Sequence, residues 1–227
     1  MVTLKQISDE SGFSIRTVSV ALNGDPVSGR ISETCVQKIK KIARERGYKV
    51  SAAARAIRLK RTSQVGVLVR NDAENPRVDP ASYETILGIN QQMEPMDYIV
   101  SMIRYTDVAD QFVSQSRVFK EQVLDGIITI GNIPLNCCST IFKAIKTCVW
   151  VDNNASNLQH TVSRDEHHAG WLAAHHVCQL GYRQVYWLGP TPDALGMHIS
   201  VLQRYEGVMS CLNEQGITPR VRLLPYW

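Results

Sequence analysis

The sequence predicts a small all-α helix-turn-helix headpiece followed by an α/β core built on a parallel sheet. Three observations carry this. Two helical patterns with their own caps meet at Gly12; the charge changes sign near Ser63; and beyond that point short apolar runs alternate with helical patterns.

The headpiece is punctuated residue by residue. Thr3-Leu4-Lys5-Gln6 has the form of a capping box, in which the Thr3 hydroxyl and the Gln6 amide satisfy amides at a helix start. The helix runs through Ile7 to about Ser11, and Gly12 supplies the left-handed residue of a sharp turn. Ser14 caps a second helix, Ile15 to about Leu22, with Ile15, Val18 and Leu22 on an apolar face and Arg16, Thr17 and Ser19 outward. Helix, glycine turn, helix is the arrangement whose second helix enters a DNA major groove by its N-terminal end. The bland reading is an ordinary αα-hairpin. Ser32 caps a third helix to about Arg46, with Val36, Ile39, Ile42 and Ala43 at helical spacing and Gly47 as its stop. With Ile7, Phe13, Val18, Leu22 and Tyr48 these positions make a small core, so this is the less stable part of the chain.

Charge separates the two readings of that hairpin. Residues 1–63 carry thirteen Lys/Arg against five Asp/Glu, a net +8, and the remainder carries twelve against sixteen, a net −4, within a total of +4. A basic module on a mildly acidic body meets phosphates at one end only. Arg55, Arg58, Lys60 and Arg61 fall in a stretch without an acid. The alanine-rich segment 51–57 just before it favours helix but is too short to hold one alone, so 51–60 is expected to become helical only on a DNA site.

Beyond Ser63, strands are expected at Val65–Val69, Tyr98–Met102, Ile127–Ile130, Cys148–Val151, Val185–Leu188 and Val221–Leu224. Helices are expected near Ala81–Met93, Val108–Glu121, Ser139–Lys146 and Glu166–Leu180. Repeated βα units with continuously apolar strands make a parallel sheet covered by helices. Ligands on such sheets lie beyond the carboxyl ends of the strands, where the loops Arg70–Pro76, Gly131–Pro134 and Asp152–Asn157 emerge. The expected divisions are a headpiece at 1–50, a hinge at 51–63, a first α/β subdomain at 64–160 and a partial second subdomain at 161–227.

At 227 residues and 44% hydrophobic content the chain can bury a substantial core. It shows no leader pattern and no apolar run of membrane-spanning length, so no membrane partner and a cytoplasmic location are expected. The six cysteines have no CxxC spacing, and they read as reduced, core-filling thiols. Enzyme readings find no GxGxxG turn, no phosphate loop and no GxSxG elbow. His168 and His175 share a helix face but lie roughly 10.5 Å apart along its axis, too far for one zinc ion. No cofactor and no metal are expected.

These motifs resemble the lactose-repressor (LacI-type) family of bacterial transcription regulators. The resemblance rests on residues 2–7, 14–19 and 22–24, on Ala54-Arg55-Ala56-Ile57 and residues 61–67, and more weakly on Leu124–Ile128, Leu180–Arg183 and Arg204–Gly207. It implies a periplasmic-binding-protein-like effector core. It also implies a homodimer, where the full-length core is present, that reads a palindromic double-stranded DNA operator under control of a small-molecule effector such as a sugar. Position by position, Ile15 and Arg16 resemble the base-reading pair, arginine pairing with a guanine edge and isoleucine touching a thymine methyl. Thr3, Ser14, Thr17, Ser19 and Asn23 resemble phosphate contacts. Arg55 belongs to the basic hinge, and Ile57 stands where the family wedges a leucine into the minor groove. Val20, Val50, Ser51 and Arg77 depart from the family's pattern. For the effector, Asn71, Asn75 and Pro76 match the first-strand loop, Arg204 matches a ligand-gripping arginine, and Asp165 is a weaker candidate.

The family continues well past the strand at Val221–Leu224. The core is therefore expected to be incomplete, a fragment or a truncated reading frame, with about half the effector cleft and much of the dimer surface missing and a tendency to self-associate. Two other readings stand beside the regulator: a small-molecule-binding α/β protein or enzyme with an incidental basic tail, and an inactive remnant of a repressor. Deleting residues 1–63 separates the first from the regulator, because only a regulator loses all specific operator affinity.

Overall fold

The computed structural model describes residues 2–23, 31–70, 80–105, 116–133, 135–154, 158–189, 198–218 and 220–223. Its contacts form two compact units, Met1–Thr62 and Ser63–Trp227.

In the first unit, α1 spans Leu4–Ser11. The Gln6 N–H donates to Thr3 Oγ1 at 3.3 Å and the Thr3 N–H to Gln6 Oε1 at 2.8 Å, so the capping box is closed in both directions. Gly12 ends the helix at φ 77°, its N–H donating to the Ser8 carbonyl. Helix α2 spans Ile15–Asn23 and α3 spans Glu33–Glu45, the latter capped by Ser32 and followed by Gly47 at φ 65°. Ile7, Val18, Ala21, Ile39 and Ala43 are buried where the three helices meet, with Phe13, Leu22, Val36, Ile42 and Tyr48 packed around them.

One expectation fails here. Ile15 is 47% exposed rather than part of the buried face. Side chains on a helix tilt toward its N-terminus, so the first residue of α2 covers no preceding turn and stands free of the core.

The hinge segment forms α4, Ala52–Leu59, with Ser51 accepting from the Ala54 N–H at 3.3 Å and Lys60 closing it at φ 52°. None of its residues is buried, and only Arg55 and Ala56 are half-buried, so the helix contributes no side chain to a core.

The second unit begins with β1 (Gln64–Arg70), α5 (Pro80–Met93), β2 (Ile99–Tyr105), the short α6 (Arg117–Lys120), β3 (Gly126–Ile130), α7 (Leu135–Ala144), β4 (Cys148–Val151) and β5 (Thr161–Val162). The five strands pair in the order β2-β1-β3-β4-β5, every pair parallel. β3 is buried along its whole length, with apolar clusters on both faces of the sheet. β5 is an addition to the sequence reading. Two exposed residues carry no periodicity, and their pairing with β4 extends the first sheet past the division expected after residue 160. The helix expected over Val108–Glu121 appears as α6 alone, residues 106–115 lying outside the described residues.

The chain then adds α8 (Glu166–Gln179), β6 (Tyr186–Gly189), α9 (Ile199–Glu214) and β7 (Arg220–Leu223), with β6 and β7 parallel. Helix α9 has no counterpart in the sequence reading because its buried positions include Ser200, Gly207 and Cys211, which break the apolar stripe. The same small residues allow a close crossing with α8. A Cβ on Gly207 would overlap the His167 carbonyl, and one on Gly170 the Arg204 carbonyl. Among the described residues no helix is long and apolar enough to cross a membrane.

Candidate functional site

Two groups of residues stand out, one in each unit. On the first unit, Ser14, Ile15 and Arg16 are exposed together at the start of α2. The Thr17 N–H donates to Ser14 Oγ at 3.1 Å, and the two hydroxyls share a hydrogen bond at 2.8 Å. At the other end Asn23 Nδ2 donates to the Ser19 carbonyl at 2.7 Å. These bonds fix the ends of the helix that carries Arg16. Thr3 is exposed at the cap of α1, and on α4 Arg55 is half-buried while Ile57 is 81% exposed.

On the second unit, a cavity of about 650 Å³ opens beyond Ile130, Val151 and Val162, the carboxyl ends of β3, β4 and β5. That is where a parallel sheet places a ligand. Its walls carry the hydroxyls of Ser82, Thr85, Ser163 and Ser200, the carboxylates of Glu84 and Asp152, the Arg164 guanidinium and the His198 imidazole. Hydroxyls, two carboxylates and a guanidinium suit a small polyhydroxy ligand, whose own hydroxyls both donate and accept.

The two charged wall residues Asp152 and Arg164 continue, behind the wall, into a chain of ion pairs. Arg164 Nη2 lies 3.0 Å from Asp152 Oδ2, and its Nε lies 3.3 Å from Glu166 Oε1. Glu166 in turn takes Arg204, whose Nη2 donates to Oε1 at 2.9 Å while Nε donates to Oε2, a two-pronged pairing. The Glu166 side chain is 7% exposed. The guanidinium of Arg204 holds the Glu166 carboxyl below its ordinary range, and Glu166 raises Arg204 in return. His198 sits beside this chain. Its Nδ1 accepts from the Ser200 N–H at 3.3 Å, capping α9, so Nε2 carries the hydrogen that it donates to the Asp152 carbonyl at 2.6 Å.

The predicted effector residues fall differently. Asn71, Asn75 and Pro76 lie outside the described residues. Asp165 is the cap of α8, its Oδ1 accepting from the His168 N–H at 2.9 Å, so its carboxylate is occupied by a helix start. Arg204 is held by Glu166 and does not line the cavity. The sequence reading missed Arg164, Glu166, Asp152 and His198. The one local signal was the dense run Arg164-Asp165-Glu166 ahead of a helix.

A second cavity, about 410 Å³, lies under α7 and is lined by Cys138, Phe142, Cys148, Trp150 and Leu158 among others. Burial pushes the Cys138 thiol up to about 11 and Cys148 to about 12. All six cysteines are free, five of them buried. The Trp171 ring stacks between His168 and His175, centroids 6.2 and 4.6 Å away, so both imidazoles on that face pack against an indole.

No protein-family model matches the chain. Over its whole length it is 25% identical to the sucrose operon repressor of Staphylococcus xylosus, and it covers 67% of that protein. It is 23% identical over 95% of its length to the HTH-type transcriptional regulator RegA of Clostridium saccharobutylicum, covering 62% of it. In structure, 97% of the chain superposes on 64% of a lac repressor chain, solved as a dimer bound to operator and an anti-inducer, with TM-score 0.73 and 20% identity. The chain thus spans about two-thirds of the length of the relatives it matches.

Proposed function

We propose that this chain, which belongs to the lactose-repressor (LacI-type) family of bacterial transcription regulators, is a sequence-specific DNA-binding regulator acting as a repressor. Its core binds a small effector such as a sugar. The observation that carries this reading is the exposure of Ile15 and Arg16 at the N-terminal end of α2, behind a Gly12 turn, on a module of net charge +8.

In this reading Arg16 pairs with a guanine edge and Ile15 makes apolar contact beside it. Thr3, Ser14, Thr17, Ser19 and Asn23 set the register on phosphates, and Arg55 adds charge from the hinge. Ile57 inserts into the minor groove, which gives an 81%-exposed isoleucine something to pack on. Two copies of the chain read the two halves of a palindrome, so the operator's symmetry follows that of a dimer. The cavity beyond β3 and β4 receives the effector. Its hydroxyl-rich wall favours a polyol, and no catalytic step is assigned to it.

Salt dependence tests the DNA-binding reading. Each phosphate neutralised by a lysine or arginine releases counterions, so binding of the chain to double-stranded DNA should weaken steeply and log-linearly with salt. Affinity that stays constant between about 50 and 200 mM salt, the range over which phosphate contacts show themselves, would remove the proposal.

A further inference from the structure

We propose that α2 reads its operator through methyl groups. Ile15 and Val20 stand on either side of Arg16, and each selects a pyrimidine that carries a C5 methyl, thymine or 5-methylcytosine. The inference rests on reading α2 as the helix that enters the major groove.

The apolar residues of α2 divide into two sets. Val18, Ala21 and Leu22 lie in the headpiece core. Ile15 and Val20 do not. Ile15 is 47% exposed, and Val20 is half-buried but belongs to none of the apolar clusters among the described residues. At 3.6 residues per turn Val20 falls one turn beyond Arg16, on the side of the helix turned away from Val18 and Ala21. A face made only for water carries polar side chains there, whereas this one holds two branched hydrocarbons. Their polar neighbours are tied to one another. Thr17 Oγ1 shares a hydrogen bond with Ser14 Oγ at 2.8 Å, and Asn23 Nδ2 donates to the Ser19 carbonyl and, at 3.2 Å, to its hydroxyl. Arg16 is the one long donor in the helix sequence. Readout from α2 therefore has a single hydrogen-bonding arm with an apolar side chain on each side. In the major groove the base-edge group that such a side chain recognises is the C5 methyl of thymine, while cytosine presents an amine donor. Cytosine offers the same methyl only when it is methylated at C5. Burying one methyl against isoleucine or valine changes affinity roughly three- to fivefold.

The experiment selects an operator from a random duplex pool with the full chain, then rebuilds it with deoxyuridine for thymidine at single positions. Uracil keeps the base pair and lacks the methyl. Two positions in each half-site, flanking the one that Arg16→Ala relaxes, should each lose roughly three- to fivefold in affinity. At those positions 5-methylcytosine should bind more tightly than cytosine by a similar factor. Val20→Ala should abolish the preference for thymine over uracil at one of the two positions and leave the other intact, and Ile15→Ala should do the reverse. Neither side chain belongs to the headpiece core, and the preference that remains in each variant reports that it is folded. Equal affinity for the thymine and uracil operators overturns the inference, and so does a methyl preference that survives unchanged in both variants. Enrichment of no motif brings down the reading of α2 as the base-reading helix, and the inference with it. An enriched motif that is indifferent to the methyls removes the inference alone.

Discussion

His198 and Asp152 join the start of α9 to the end of β4: the imidazole Nε2–H donates to the Asp152 carbonyl at 2.6 Å while Nδ1 accepts from Ser200. One residue downstream, the Ile199 N–H donates to Asn154 Oδ1 at 2.9 Å. The helix that carries Arg204 is thus fastened to the sheet edge that forms the cavity floor. His198→Ala removes a helix cap and this tether together, and it should cost roughly 1–2 kcal/mol in urea unfolding of the chain. His198→Asn keeps a capping oxygen and should recover part of that loss. Equal stability of His198→Ala and the unsubstituted chain would show that the tether carries no weight.

Acid should expose the Glu166–Arg204 pair. The hydrogen bonds from Arg204 hold the Glu166 carboxyl below its ordinary value of 4.5 in the folded chain. A group lowered in this way contributes stability that is fully present above its unfolded value and is lost as pH falls through the lower folded value. Stability of the unsubstituted chain should therefore drop more steeply below about pH 4.5 than that of Glu166→Gln, which has no proton to take up there. Parallel stability curves would contradict the pairing.

Thiol chemistry should follow burial. Cys138 and Cys148, pushed up to about 11 and about 12 and nearly inaccessible, should resist a thiol-specific disulfide reagent at pH 8 until the chain unfolds. The half-buried Cys35 of the headpiece should react first. Rapid labelling of Cys148 in the folded chain would contradict the packing around Trp150.

The headpiece was legible in the sequence because its signals are local. The Thr3–Gln6 box, the Gly12 turn and the Ser14 and Ser32 caps each act within three or four residues. Strands β1, β3 and β4 were legible as continuous apolar runs for a similar reason. The polar network at and behind the cavity was not. Arg204 reaches Glu166 across 38 positions and His198 reaches Asp152 across 46, and no spacing rule connects such pairs. Arg204 was found by its place in a motif, and its partner by geometry alone. Asp165 was read as a ligand group because an acid ahead of a helix looks the same whether it caps the helix or faces a cavity. Helix α9 stayed hidden because glycine, serine and cysteine make its buried stripe.

The central claim, that the start of α2 reads base sequence, is tested most directly by selection from a random-sequence DNA duplex pool. The full chain and Arg16→Ala are compared under the same salt. The account predicts an enriched palindromic motif for the unsubstituted chain, and for Arg16→Ala a loss of preference at one position in each half-site, worth roughly 1–3 kcal/mol. Enrichment of no motif, or of the same motif with undiminished preference at every position in Arg16→Ala, would contradict it.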